Sequence, residues 1–228
     1  MRYFLTTVII LASIVSTKGQ TYEIGFIGGG TNFIGDVGST NYISPNALMA
    51  GGIIKYNASP RIAFRATAMY GSLKADDAES DDESRQVRGY AFSTNMLEAG
   101  VGIEYTFWDF NLHESFNKPA TPYLHTGIKA FTHDIYWPRN GRLDSFDNEF
   151  DFAIPLTLGF KFALGTSLIA GAEITANYTF IDHMDGSVQE ANPDRPPYFG
   201  NRSNDDWYMF TGITLTYTFG RRPCYCGF

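Results

Sequence analysis

The chain has almost no cysteine: two in 228 residues, Cys224 and Cys226, both at the extreme C-terminus. So placed, they cannot staple a domain, and the fold must be held by its own hydrogen bonding and packing. Basic charge is also scarce. Seventeen Lys and Arg stand against 24 Asp and Glu, a net charge of −7. Nothing resembles the basic stripe that a nucleic-acid partner requires, so that class is excluded. The chain as a whole is slightly hydrophilic, which excludes a bundle of transmembrane helices. It does not exclude a membrane barrel, in which only alternate strand residues face lipid. Metal-ligand spacing is missing too: His113, His125, His133 and His183 form no pair of that kind, and no cysteine completes a zinc site. On these grounds no cofactor, metal or small-molecule substrate is expected.

What the sequence does have is 19 Phe, 14 Tyr and 23 Gly, a composition that favours closely spaced strands in a single domain. The first residues read as a secretory signal, 1–19. Arg2 is the basic start, Phe4 to Val15 form a mostly apolar core too short to span a bilayer, and Thr17 and Gly19 supply the small residues before cleavage. No cysteine follows, so this is not a lipoprotein leader.

From Gln20 the dominant period is two. Phe150, Phe152, Ile154, Leu156, Leu158, Phe160 and Phe162 share one face, and Asp151, Ala153, Pro155, Thr157, Gly159 and Lys161 the other. The same alternation runs through 168–180 and 213–219. Stretches this long exceed the usual strand of a soluble sandwich and suit a tilted strand crossing a bilayer. Extending the template predicts about eight strands, near 21–30, 46–56, 62–72, 92–108, 122–132, 149–163, 167–181 and 207–220. Connections after the second and sixth are short. Those after the first, third, fifth and seventh are long and polar, and the turn 109–121 is intermediate. Long loops on one side and short turns on the other are the pattern of an outer-membrane barrel with its loops outside the cell. An even strand count then puts both termini in the periplasm.

A soluble lipocalin-like barrel would alternate as well, with its apolar face inward. Here the polar face is mostly Gly, Thr, Ala and Ser with about one charge per strand, too little for a water-exposed sheet. The apolar face has no charge and carries aromatics toward its ends, as interfacial girdles do. Lipid outside and a polar lumen inside follow. Glu23, Lys55, Arg65, Glu98, Glu104, Lys129, Lys161 and Glu173 then all point inward, four acids and four bases that can neutralise one another in pairs. A barrel of eight strands has a lumen that side chains just fill, so the expected interior is a packed polar plug. The fold class is therefore all-β, a closed antiparallel meander barrel over 20–220 with a plugged polar lumen and a periplasmic tail, 221–228.

Chemistry finds little support. His125 is expected inside the lumen, and it stands in His125-Thr126-Gly127 where lipid A deacylases of this architecture carry His-x-Ser-Asn. A triad on the loops would have to come from His133 or His183 with Asp134, Asp182 or Ser187. The acidic run Asp76, Asp77, Glu79, Asp81, Asp82 and Glu83 lacks the EF-hand glycine and distal glutamate, and reads as a solvated loop. The segment 192–198 is Pro-rich and names no partner. The tail Arg221-Arg222-Pro223-Cys224-Tyr225-Cys226 is the one feature the barrel itself does not require. Two thiols one residue apart do not readily bridge each other. The tail is either inert or a site of intermolecular pairing.

The chain resembles the PorG family of outer-membrane proteins, components of the type IX secretion system. Three stretches carry the resemblance: Gln20-Thr21-Tyr22-Glu23-Ile24-Gly25 with Asn32-Phe33-Ile34-Gly35-Asp36, Ser59-Pro60-Arg61-Ile62-Ala63-Phe64-Arg65, and Trp207-Tyr208-Met209-Phe210-Thr211-Gly212 through Tyr217-Thr218-Phe219-Gly220 into the tail. The resemblance implies a non-catalytic barrel that anchors a periplasmic ring of a PorK-type lipoprotein and a PorN-type partner, in a machinery that in some bacteria supports gliding. Arg221, Arg222, Pro223, Cys224, Tyr225 and Cys226 would make the contact, with a disulfide from one cysteine to the ring lipoprotein. Two alternatives stand beside it: an OmpA-like or adhesin-like barrel that binds extracellular ligands through its loops, and a lipid A-modifying barrel enzyme.

Overall fold

The computed structural model describes residues 21–110, 119–139, 142–181, 184–187, 199 and 205–219. Eight strands form one closed barrel: β1 (Thr21–Ile34), β2 (Ala47–Asn57), β3 (Ile62–Asp76), β4 (Ala91–Thr106), β5 (Ala120–Arg139), β6 (Arg142–Ala163), β7 (Leu168–Thr179) and β8 (Trp207–Phe219). Each strand pairs antiparallel with its sequence neighbour. β1 closes the ring on β8, with Glu23 opposite Lys55 on one side and Thr218 on the other. Within the barrel itself the meander and its closure leave no strand edge unpaired.

The short connections are tight because few residues satisfy them. At 58–61 the Ala58 and Ser59 amides both donate to the Ile62 carbonyl, and Ser59 Oγ accepts from the Ile62 amide at 2.9 Å. At 164–167 the Leu164 amide donates to the Leu168 carbonyl at 2.8 Å. The side expected to carry long loops is more regular than the sequence suggests. β5 and β6 continue past the barrel as a two-stranded ribbon paired as far as Arg139 and Arg142, with a bulge between Ile135 and Tyr136. Residues read as a long loop are therefore largely strand. The loop after β3 holds a 3-10 turn (Asp77–Glu79) and a short helix, α1 (Glu83–Arg88), which Gly89 ends in the left-handed conformation at φ 66°.

Outward residues are apolar and exposed: Phe26 on β1, Leu48 on β2, Val101 on β4, Ile128 on β5, Leu156 on β6 and Ile213 on β8. Aromatics gather at both ends of this belt. At the turn side Tyr22 lies 5.4 Å from Tyr56 and 6.0 Å from Phe219, and Tyr56 stacks on Phe64 at 6.1 Å. At the loop side Tyr178 contacts Phe180 at 5.2 Å and Trp207 at 4.9 Å, and Phe150 contacts Phe152 at 5.3 Å. From Phe150 to Phe162 a tilted strand rises about 28 Å, close to the thickness of a bilayer's hydrocarbon. No helix among the described residues is long and apolar enough to cross a membrane. The apolar surface is supplied by strands.

Inside, the lumen is layered. Most of the charged residues occupy the turn-side half, and Glu98 and Lys129 lie at mid-barrel. Toward the loops the interior becomes apolar, with Ile27, Phe33, Met49, Leu73, Phe92, Met96, Phe131 and Phe210 all buried in one cluster. Phe92 sits edge-on to Phe33 at 5.1 Å and tilts against Tyr136 at the same distance. The polar plug is thus joined toward the loops by an apolar cluster, among which Thr31, Asn32, Thr94, Asn177 and Thr179 are also buried. Small residues make room for large ones. Tyr123 lies over its cross-strand partner Gly159, where an added Cβ would come within 2.2 Å of the tyrosine ring.

Candidate functional site

All eight charges expected in the lumen are buried there, at 0 to 6% exposure. They are not arranged as four pairs. Glu104 on β4 gathers three cations from three other strands: Lys161 Nζ hydrogen-bonds Oε1 at 2.7 Å, Lys55 Nζ stands 2.6 Å from Oε2, and Arg65 approaches to 4.0 Å. Arg65 directs its fork at Glu173, with both of its terminal nitrogens 2.8 Å from the two carboxylate oxygens. Tyr123 donates to the same carboxylate at 2.6 Å. The planar match of guanidinium and carboxylate is the strongest geometry available to such a pair. Lys55 and Lys161 also lie over the Tyr123 ring, at 5.4 and 5.7 Å. Nearer the apolar layer Glu98 accepts from Lys129 at 2.7 Å and from Tyr208 at 2.8 Å.

Glu23 departs from the scheme. Lys55, directly opposite it, turns away to Glu104, and Glu23 accepts instead from Asn57 Nδ2 at 2.7 Å and Thr216 Oγ1 at 2.9 Å. At the turn-side mouth Lys161 lies 4.7 Å from the Phe110 ring. This aromatic begins the intermediate connection, and the Phe110 amide donates to the Pro60 carbonyl. The ion pairs link β2, β3, β4, β6 and β7, with Arg65 Nε buried without a hydrogen-bond partner. Their chemistry is that of a cross-link between strands.

The loop side is tied down by two buried carboxylates. Asp77 accepts from the Gly38 amide at 2.9 Å, the Tyr90 amide at 2.9 Å, and Arg88 Nε and Nη2 at 2.8 Å each. Asp185 accepts from the Asp36 and Val37 amides at 2.9 and 3.2 Å and from the Ser187 amide at 2.9 Å. The loops after β1, β3 and β7 are thereby joined. Arg85 and Arg88 complete the joint on the carbonyls of Gly35, Gly38 and Asp36, and Arg88 packs against both the Tyr90 and Phe199 rings, which contact each other edge-on. Burial pushes the Asp185 carboxyl above its ordinary range despite these donors. Burial also pulls Arg88 down, and the Asp77 carboxylate more than reverses it. Two other acids of the Asp76–Glu83 run serve their own turns. Asp76 caps the Ala78 amide, and Asp82 caps the Ser84 amide at the start of α1. They do not converge as calcium ligands.

His125 lies in the lumen with Nδ1 3.2 Å from Thr157 Oγ1, and Thr157 contacts Thr175 in turn. His133 stands where the β5–β6 ribbon leaves the barrel. Its Nδ1 faces the Asp134 carbonyl at 3.2 Å and its Nε2 faces Asp151 Oδ2 at 3.0 Å. Both ring nitrogens thus meet oxygens other than a serine hydroxyl. Glu149, directly across from His133 in the ladder, brings a second carboxylate, and the three ligand atoms lie within 4.8 Å of one another. Reading one strand at a time misses this cluster, because the register of β5 on β6 makes it. His113, Asp182 and His183 lie outside the described residues, as do Arg221, Arg222, Pro223, Cys224, Tyr225 and Cys226.

A family model described as a domain of unknown function, DUF6089, matches residues 2–228. The chain belongs to this family. No curated protein matches the DUF6089 chain. Among solved structures, it is similar to the N-terminal β-barrel domain of Pseudomonas aeruginosa OprF, at 13% identity, TM-score 0.45, covering 89% of this chain and 98% of that one. It is also similar to Neisserial surface protein A, at 11% identity, TM-score 0.48, covering 89% and 100%. The attachment invasion locus protein Ail of Yersinia pestis matches at 9% identity, TM-score 0.44, covering 89% and 100%.

Proposed function

We propose that this DUF6089 barrel resides in the bacterial outer membrane and serves as a non-catalytic anchor of a type IX protein secretion machinery. Its leader is removed after Gly19, its termini lie in the periplasm and its loops outside the cell. The observation that carries the scaffold role is the filled interior. Among the described residues, Glu104 with its three cations and the buried cluster around Phe92 and Met96 occupy the lumen, which favours a barrel that conducts nothing. What the protein can offer is its lipid-facing belt and its two rims. The resemblance of its opening, its first short hairpin and its ending to the PorG family favours the periplasmic rim. There the short turns and the Arg221–Cys226 tail would dock a ring of a PorK-type lipoprotein and a PorN-type partner, in some bacteria in support of gliding.

Non-reducing electrophoresis of native outer membranes tests the contact. A band shifted by the mass of a partner and collapsed by reductant is expected, and Cys224→Ser with Cys226→Ser should abolish it. A chain that runs only as a monomer and co-purifies with nothing periplasmic contradicts the anchor role.

A second reading has one observation in its favour. The loops after β1, β3 and β7 are locked together by Asp77 and Asp185 into an ordered cap. Such a surface suits a stand-alone OmpA-like or adhesin-like barrel that binds outside the cell. Shortening the loops of this cap would then abolish function, and removing residues 221–228 would not.

A further inference from the structure

We infer that His133, Glu149 and Asp151 form a binding site for one divalent cation of the zinc class, at the root of the β5–β6 ribbon. The donor set is mixed: one imidazole and two carboxylates, with all three ligand atoms within 4.8 Å of one another. An imidazole with carboxylates suits zinc and its transition-metal neighbours, whereas calcium and magnesium take oxygen donors. Three protein ligands is also the number found in zinc sites that complete their shell with a water.

The geometry of His133 is the second observation. The ring is buried, and it is held by a tilted contact with Phe131 at 5.5 Å. Phe131 itself packs on Tyr208 in the interior. Nδ1 lies 3.2 Å from the Asp134 carbonyl, the kind of backbone partner that orients metal-bound histidines. Without an ion Nε2 donates its proton to Asp151 Oδ2, 3.0 Å away, and an ion would take that proton's place. Two ligands sharing a tetrahedral ion at about 2.0–2.1 Å lie roughly 3.3 Å apart, so this separation needs only a small adjustment to admit the ion. Glu149 is exposed and forms the solvent edge of the site. The ribbon around the site also carries Asp134, Asp144 and Asp147, a local excess of negative charge that draws cations. A bound ion would pin β5 to β6 where the ribbon loses the support of the barrel.

The test is titration of the mature barrel, refolded in detergent, with Zn²⁺ and separately with Ca²⁺. The background carries Cys224→Ser and Cys226→Ser, so that the tail thiols take no ion. One Zn²⁺ per barrel is expected, with no competition from Ca²⁺ and with a Zn²⁺-dependent rise in Tm. His133→Ala, Glu149→Gln and Asp151→Asn should each weaken binding by roughly tenfold or more, the loss that even an outer partner's removal brings. Glu149 is exposed, so its variant reports on the site with the fold intact. Failure to retain Zn²⁺, or retention that survives any one of the three substitutions, overturns the site.

Discussion

Replacing Glu104 with alanine is expected to destabilise the barrel by about 3–5 kcal/mol, the usual consequence of stranding buried charges. The carboxylate is fully buried and is the meeting point of Lys55, Arg65 and Lys161, which come from β2, β3 and β6. Without it three cations share only Glu173, whose oxygens are already taken by Arg65 and Tyr123. Equilibrium unfolding in urea, followed in micelles, measures the loss. Removing one of the stranded cations as well, in Glu104→Gln with Lys161→Met, should restore part of it, because the penalty comes from unpaired charge and not from lost packing. A loss below about 1 kcal/mol would mean that water reaches the cluster and screens it.

The second large effect is local. Asp77→Ala should release the loop-side cap while leaving the strands intact. The substitution strands the Gly38 and Tyr90 amides and the Arg88 guanidinium together. At about 1–3 kcal/mol for each buried donor left unsatisfied, that exceeds what a joint between loops can absorb. Hydrogen exchange at the Gly38 and Tyr90 amides should accelerate sharply, and protease should cut within 77–90. Amides in the paired core of β1 and β8 should keep their protection. Uniform loss of protection around the whole barrel would show that the cap and the strands unfold as one unit, against the separation drawn between them.

Much of this architecture is legible in the sequence because a barrel strand repeats one rule. Phe150 to Phe162 alternate so strictly that the lipid face, the strand and its length are read together, and each lone charge on the other face is placed in the lumen by parity. Three features escape for physical reasons. Near the loops the inward residues Met49, Leu73, Phe92 and Met96 are apolar like the outward ones, so polarity no longer separates the faces there. The β5–β6 ribbon is disguised by its bulge at Ile135 and Tyr136, which breaks the alternation just where Pro138 and the glycine-containing tip suggest a loop. Asp77 and Asp185, and likewise His133 and Asp151, gain their roles from partners brought together by closure and register. Charge sign shows in the sequence that the lumen can be neutral, and register decides that it becomes a cluster centred on Glu104.

Reconstitution into a planar lipid bilayer tests the closed interior most directly. With Glu104, Glu173 and Glu98 holding their cations and the apolar layer intact above them, the barrel should insert and show no steady ionic current across a range of voltages. A stable, ohmic conductance from the folded wild-type barrel would contradict an occluded lumen and, with it, the assignment of function to the two rims.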